Sequence, residues 1–337
     1  MNTQWQAWFN RHGVVFDGNA AVGFAEYEQQ LSALKNGAVV SALNGFSVIR
    51  VTGDDAQSFL QGQFSSDILA IDETNSQLSS YSTAKGRMQA TMLIWRQHDA
   101  YFLLVSSDIA LAFCKRLSMF ILRSKVKAEV VGGECILLGL AGAAAENAAG
   151  DVPFESGAVA SRDGGIALRL PNDALMLALT PEAAADVLAR LGDDVVPVSA
   201  EVWGILDIDA GIPWVTSATV EQFVPQMANM DLLGAVSFKK GCYPGQEIVA
   251  RTHYLGKVKR RLYRVRIPEM ASSGDSLYSP GSADQAIGQV VNVSRETSGC
   301  VALAVVQSSR WEDGVFLRGL DGVRLEKLSL PYSIDDE

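Results

Sequence analysis

Between Phe46 and Val51 the chain is rich in apolar and β-branched residues, in a run of strand length. Thr52-Gly-Asp-Asp55 follows with helix-capping chemistry, and Phe59 and Leu60 supply the inner face of the helix it would start. Thr91–Trp95 and Tyr101–Val105 read as two strands about the turn Gln97-His98-Asp99. Ser107-Asp108 opens an amphipathic helix running to about Leu122, and Val126–Val131 returns as a strand. The order is β-α-β-β-α-β, the split βαβ or ferredoxin-like pattern. A weaker echo follows. Cys135–Leu140 is an apolar strand, Ala143–Ala149 a short helix, and Gly165–Leu170 with Leu175–Leu179 a hairpin about Pro171-Asn172-Asp173. Pro181 stands at the first position of a further helix, and another runs from Ser199 to Asp209. From Arg261 the runs LYRVRI, IGQVVNV, CVALAVV, VFLRG and VRLEKL are short and separated by turn residues. That spacing predicts a small all-β barrel. The expected fold class is α+β, with lobes at 1–133 and 134–256 and a C-terminal β-barrel at 257–337.

Composition narrows the class. The chain has 337 residues, 48% of them apolar and 20% charged, which describes a folded protein of two or three compact units. Its longest apolar run, Ile136–Ala145, falls well short of the roughly 20 residues a membrane helix needs. The N-terminal residues have no basic-then-apolar order, so no secretory leader is expected. The cysteines Cys114, Cys135, Cys242 and Cys300 have neither zinc spacing nor a disulfide pattern, which favours the cytoplasm. A net charge of −10 excludes a general binder of nucleic acid. Yet Lys239–Arg266 holds nine basic residues against Glu247 alone. Such a run is commonly just a solvated face; here Lys239, Arg251, Lys257 and Lys259 are the candidate anion-facing residues.

The segment Phe238–Glu247 is the richest in chemistry. Gly241, Pro244 and Gly245 make a tight turn ahead of a helical pattern. Cys242 would then lie near a helix N-terminus beside Lys239 and Lys240, surroundings that favour a thiolate. Packing is the ordinary fate of a free cysteine, and Cys114 and Cys135 fit it. Cys242, displayed in a Gly/Pro turn, reads as the functional thiol. The histidines His12, His98 and His253 have no metal or triad company, and no metal site is expected.

KGCYPGQE at 240–247, preceded by FVPQMANMDLLGAVSFK and followed by IVARTHYLGKVKR, resembles the signature of the YgfZ-type folate-binding proteins. These are relatives of mitochondrial iron–sulfur-cluster assembly factors, with the fold of the glycine cleavage T-protein, an aminomethyltransferase. VTGDDAQSFLQGQFSSDI, the Lys85-Gly86-Arg87 turn, DIDAGIPWV and Leu330-Pro-Tyr-Ser333 extend the resemblance over most of the chain. It implies a cytoplasmic protein that binds tetrahydrofolate or a derivative and supports iron–sulfur enzymes, such as a tRNA methylthiotransferase. Direct tRNA contact is the weaker expectation, and no membrane partner is implied. Carried over by position, folate contacts fall on Phe46, Trp203 and Asp209. The functional centre falls on Cys242, with Lys240, Gly241, Tyr243, Gly245, Gln246 and Glu247 about it. On residue type alone Trp203 would be core packing.

The resemblance implies one departure. Where the aminomethyltransferases carry an acidic pair, this chain has Ala90 and Thr91, neither able to act as a carboxylate base. Whether the chain is an enzyme stays open at this point. A folate-dependent one-carbon transferase and a thiol redox protein are the alternatives to an accessory role.

Overall fold

The structure is a computed structural model that describes residues 4–18, 20–150, 152–192, 194–282 and 285–334. The first lobe is an antiparallel sheet in the order Ser76–Ser82, Met88–Gln97, Ala100–Ser106, Phe46–Thr52, Lys127–Val130. The last four strands of that list have the ferredoxin-like arrangement, and helices Ala56–Gln61 and Ser107–Ser118 are its crossovers. Three details differ from expectation. Asp55 does not cap the first helix; its carboxylate accepts from the Lys125 N–H at 2.8 Å. The second helix stops at Ser118, because the chain tightens into i→i−3 bonds and Leu122 turns left-handed. The edge strand Ser76–Ser82 is too rich in serine to read as buried. Those hydroxyls pair internally, with Ser66 Oγ donating to Ser79 Oγ and Ser65 Oγ 2.9 Å from Ser80 Oγ.

The second sheet runs Val159–Arg162, Gly165–Arg169, Leu175–Leu179, Ile136–Gly142, Ala38–Ala42, Val195–Pro197. It repeats the first lobe's pattern with one strand inserted. Ala38–Ala42 comes from ahead of the first lobe and pairs antiparallel with Ile136–Gly142 and parallel with Val195–Pro197. The sheets therefore interleave along the sequence rather than dividing at residue 133. Helix Pro181–Arg190 has proline in its first turn, and Thr180 Oγ1 accepts from the Ala183 N–H. Ser199 caps Ala200–Asp209 in the same way.

One core passes through both lobes. Leu93 and Leu104 of the first meet Leu168, Met176 and Trp203 of the second in one buried cluster. Helix Gln4–Arg11 covers the outer face of the second sheet with Trp5, Trp8 and Phe9. The C-terminal unit is a curled six-stranded sheet built on Arg260–Ile267, Gly288–Arg295 and Cys300–Gln307. Its edges meet where Leu317 N–H donates to Val323 O and Leu325 N–H to Val315 O. In Cys300–Gln307 the residues Val301, Leu303 and Val305 face the lobes, while Ala302, Ala304 and Val306 fill the barrel. Burial on both faces is why CVALAVV is uninterruptedly apolar. No helix among the described residues is long and apolar enough to cross a membrane.

Candidate functional site

The KGCYPGQE loop is held by three other stretches of chain. Gly245 has φ +82° and caps helix Gln246–Leu255. A Cβ there would stand 2.6 Å from Thr83 O and 2.7 Å from Gly86 Cα, and Gly86 is itself left-handed. The two glycine turns thus meet backbone to backbone, and only glycine permits it. Ser65 Oγ donates to Ala235 O and the Ser237 N–H to Ser65 O, tying the approach to the loop onto the first lobe. Lys240 finishes that seam. Its ammonium donates to Phe64 O at 2.8 Å and Ser66 O at 2.6 Å and lies 5.4 Å from the Tyr243 ring centre. Burial lowers the Lys240 pKa to about 8, opposed by the charge of Asp67. Burial also pushes the Tyr243 phenol up to about 12. Gln226 Nε2 donates to Val249 O at 2.6 Å and holds the following helix.

Within this frame Cys242 is exposed, as are Gly241 and Glu247, while Gln246 is half-buried. Of the other thiols, Cys114 and Cys300 are buried and Cys135 is half-buried, its pKa raised to about 11 by burial. Lys240 does not face solvent as a free cation beside Cys242; its charge is spent on two carbonyls. The basic band divides similarly. Arg261, Arg264 and Arg266 pair with Asp231, Asp209 and with Glu296 and Glu326. Lys239, Arg251, Lys257 and Lys259 are exposed, with no ion pair among the described residues.

Phe46 and Trp203 do come together. They line a cavity of about 20 Å³ with Leu93, Met176, Asp207 and Trp214, at the seam between the lobes. Trp203 is buried and stands over Gly139, where a Cβ would collide with its indole at 2.5 Å. Phe46 is half-buried and packs edge-on against Trp214, centroids 4.7 Å apart. Asp209 is not there. It pairs with Arg264 on the barrel side, and burial raises its carboxyl pKa against the pull of that guanidinium. The acid in the cavity wall is Asp207. Its Oδ2 accepts from Trp214 Nε1 at 2.9 Å, and burial raises its pKa to about 7 despite that bond. Helical spacing could have found it: Trp203 and Asp207 are i and i+4 on one face, whereas Asp209 lies about 120° around the helix. Trp214 had no such periodic signal.

Ala90 and Thr91 are both buried, and Thr91 Oγ1 accepts from the Val215 N–H at 2.8 Å. Among the described residues no group of three or more His, Cys, Asp or Glu could hold a metal ion. A larger depression, about 990 Å³, lies on the second lobe between helices Ala143–Ala149 and Pro181–Arg190. It contains neither Cys242 nor Phe46, Trp203, Asp207 or Trp214; flat aromatic walls meet a buried acid only in the smaller of these two cavities.

The same chain path occurs in a known enzyme. The structure of glycine cleavage system aminomethyltransferase T from Bartonella henselae superposes with a TM-score of 0.76 at 19% identity, covering 97% of this chain and 96% of that one. The fold is that of the aminomethyltransferase. A heterotetrameric sarcosine oxidase from Corynebacterium sp. U-96 overlaps 56% of this chain and 95% of its own, at 9% identity and TM-score 0.34, too low to bear on the fold. No family model matches the chain.

Proposed function

We propose that this chain is a folate-binding accessory protein of the YgfZ type, supporting iron–sulfur enzymes and tRNA modification through Cys242. The observation that carries the folate part is the Phe46–Trp203–Asp207 cavity in a chain with the aminomethyltransferase fold. Flat apolar walls suit a bicyclic ring, and a buried carboxylate suits the paired donors of a pterin edge. The chemistry fits but the space as it stands holds about one water, so Phe46 or Trp214 must yield on binding. Bound tetrahydrofolate would bring one-carbon chemistry. The chain's own share is to orient the ring and to present a thiol on a pinned loop.

A one-carbon transferase reading lacks its carboxylate, since Thr91 is engaged with the backbone and Ala90 is inert. A thiol redox reading would need a second sulfur from a partner, because the other three cysteines are buried or half-buried. Lys239, Arg251, Lys257 and Lys259 are proposed to receive an anion, with the polyglutamate tail of cellular folates ahead of a tRNA phosphate.

Titration of tetrahydrofolate against tryptophan fluorescence tests the pocket. Trp203→Ala and Asp207→Ala should each weaken binding about tenfold or more, whereas Asp209→Ala should leave it unchanged. Equal affinity in all three variants removes folate from this cavity. For the tail, affinity should rise with glutamate number and fall with salt. Equal binding of mono- and polyglutamyl forms at low salt rejects that assignment. Cys242→Ser should keep folding and folate binding yet fail to restore iron–sulfur-dependent tRNA thiomethylation in a deletion strain. Full restoration would sink the role given to the thiol.

A further inference from the structure

Helix Ser107–Ser118 buries Ile109, Ala110, Phe113, Cys114 and Leu117 against the first sheet. Its other side and the turn after it carry apolar groups that no described residue covers. Leu111 is 76% exposed, Met119 61% and Leu122 89%. Leu111, Lys115 and Met119 follow one another at i, i+4 and i+8, on one face. Past the helix, i→i−3 bonds keep the chain turning to Ile121, and Leu122 is the next fully displayed apolar side chain. Leu122 has φ +45°, a disfavoured backbone for a branched side chain. Singly exposed apolar residues are ordinary; a group of them on one face marks an interaction site.

The charge of their own segment is the reverse of the molecule's. Residues 107–127 hold five basic side chains and one acid, in a protein of net charge −10. The acid, Asp108, is engaged with the Ser217 N–H. Arg116 lies over the Phe120 ring, and Lys125 and Lys127 pair with Asp54 and Glu129. Lys115 and Arg123 are exposed, with no ion pair among the described residues.

We propose that Leu111, Lys115, Met119, Leu122 and Arg123 form a docking surface for an acidic segment of a partner protein that presents apolar anchors at helical spacing. Charge complementarity selects an acidic occupant, and the apolar residues demand anchors rather than charge alone. A second copy of this chain brings like net charge, and a bilayer calls for a broader apolar face than one helix edge. On its covered side the helix sets Phe113 6.4 Å from Phe64, whose carbonyl accepts from Lys240. A partner here would rest one side-chain layer from the anchor of the Cys242 loop. The inference does not depend on the folate reading.

The test uses the full chain and a fluorescein-labelled helical peptide with glutamates on one face and leucines at i, i+4 and i+7. Controls are the same peptide with serine for leucine, vesicles of phosphatidylglycerol and phosphatidylcholine, and sedimentation of the chain alone. The leucine peptide should bind, more weakly as salt rises, and lose about tenfold in affinity to the Leu111→Ser/Leu122→Gly double variant and to Lys115→Glu. Those positions are exposed, so melting temperatures should stay near that of the parent chain. Equal binding of the serine peptide, unchanged affinity in the variants, or no peptide binding overturns the proposal. Vesicle binding lost in the double variant would make the face a membrane contact, and a dimer lost in it a self-interface; either outcome also overturns it.

Discussion

At Asp207 burial and a hydrogen bond pull in opposite directions, and burial wins. A carboxyl titrating near pH 7 when folded and near 3.8 when unfolded binds more protons in the folded state across that interval. Its contribution to stability therefore falls as pH rises from about 4 to about 7 and is level above. Asp207→Asn keeps an acceptor for the Trp214 indole and removes the ionisation. The variant should be more stable than the parent chain at pH 8, by about 2–4 kcal/mol, with little difference at pH 4. Urea unfolding at the two pH values measures this, and a gain equal at both would exclude Asp207 as its source. If the ionised form receives the pterin donors, folate affinity should climb up to about pH 7 and then stay constant. Lys240 is the second decisive residue, joining a loop to another lobe through one ammonium. Lys240→Met keeps the stem and loses two charge-assisted bonds, at a cost of about 2–3 kcal/mol. The freed loop should let maleimide reach Cys242 several-fold faster. Unchanged alkylation would mean that Gly245 and Gln226 hold the loop without it.

Among the elements, two close approaches govern the geometry. One is the meeting of the Gly86 and Gly245 turns, which puts the start of helix Gln246–Leu255 onto the turn joining strands Ser76–Ser82 and Met88–Gln97. Gly245→Ala adds a left-handed alanine and a 2.6 Å contact with a carbonyl, at a cost of about 1–3 kcal/mol or more. The same variant should displace the Cys242 loop, which a change in alkylation rate would record. The other approach is strand Ile136–Gly142 against helix Ala200–Asp209, where Gly139 receives the Trp203 ring. Gly139→Ala forces that indole aside. Its signature should be a shifted tryptophan emission together with weaker folate binding. Normal binding in that variant would argue against Trp203 as a wall of the site.

Across the whole molecule, the barrel is attached by polar groups of unequal weight. Arg261 and Asp231 are each only 11% exposed at the side chain, and Arg261 also donates to Gln226 O. Asn229 both donates to Leu262 O and accepts from its N–H, and Tyr332 donates to Gly211 O from the far end of the barrel segment. Arg264–Asp209 is more open to solvent. Breaking the buried pair with Arg261→Met should cost about 3–5 kcal/mol, whereas Arg264→Met should cost under about 1 kcal/mol. Denaturant melts followed by Trp311 in the barrel and by Trp203 at the lobe seam would also show whether the units part company. Equal costs for the two variants would mean that apolar contact alone seats the barrel.

The sequence determined the elements whose signals are local. Thr180-Pro181 and Ser199 mark helix starts because their caps are built within one turn. The short runs after Arg261 mark barrel strands because turn residues bound each of them within a few positions. The KGCYPGQE turn, too, was visible as a glycine and proline stop before a helix. Tertiary structure alone decided which side chains meet. Ala38–Ala42 carries no mark of the sheet it joins, since its partners lie about 100 and about 160 residues onward. Lys240 reads as a free charge until the carbonyls of Phe64 and Ser66 are brought to it. Asp207 and Asp209 are nearly the same residue in the sequence, two positions apart on one helix. Helical spacing puts Asp207 on the Trp203 face, but only packing brings Trp214 to that carboxylate and Arg264 of the barrel to the other.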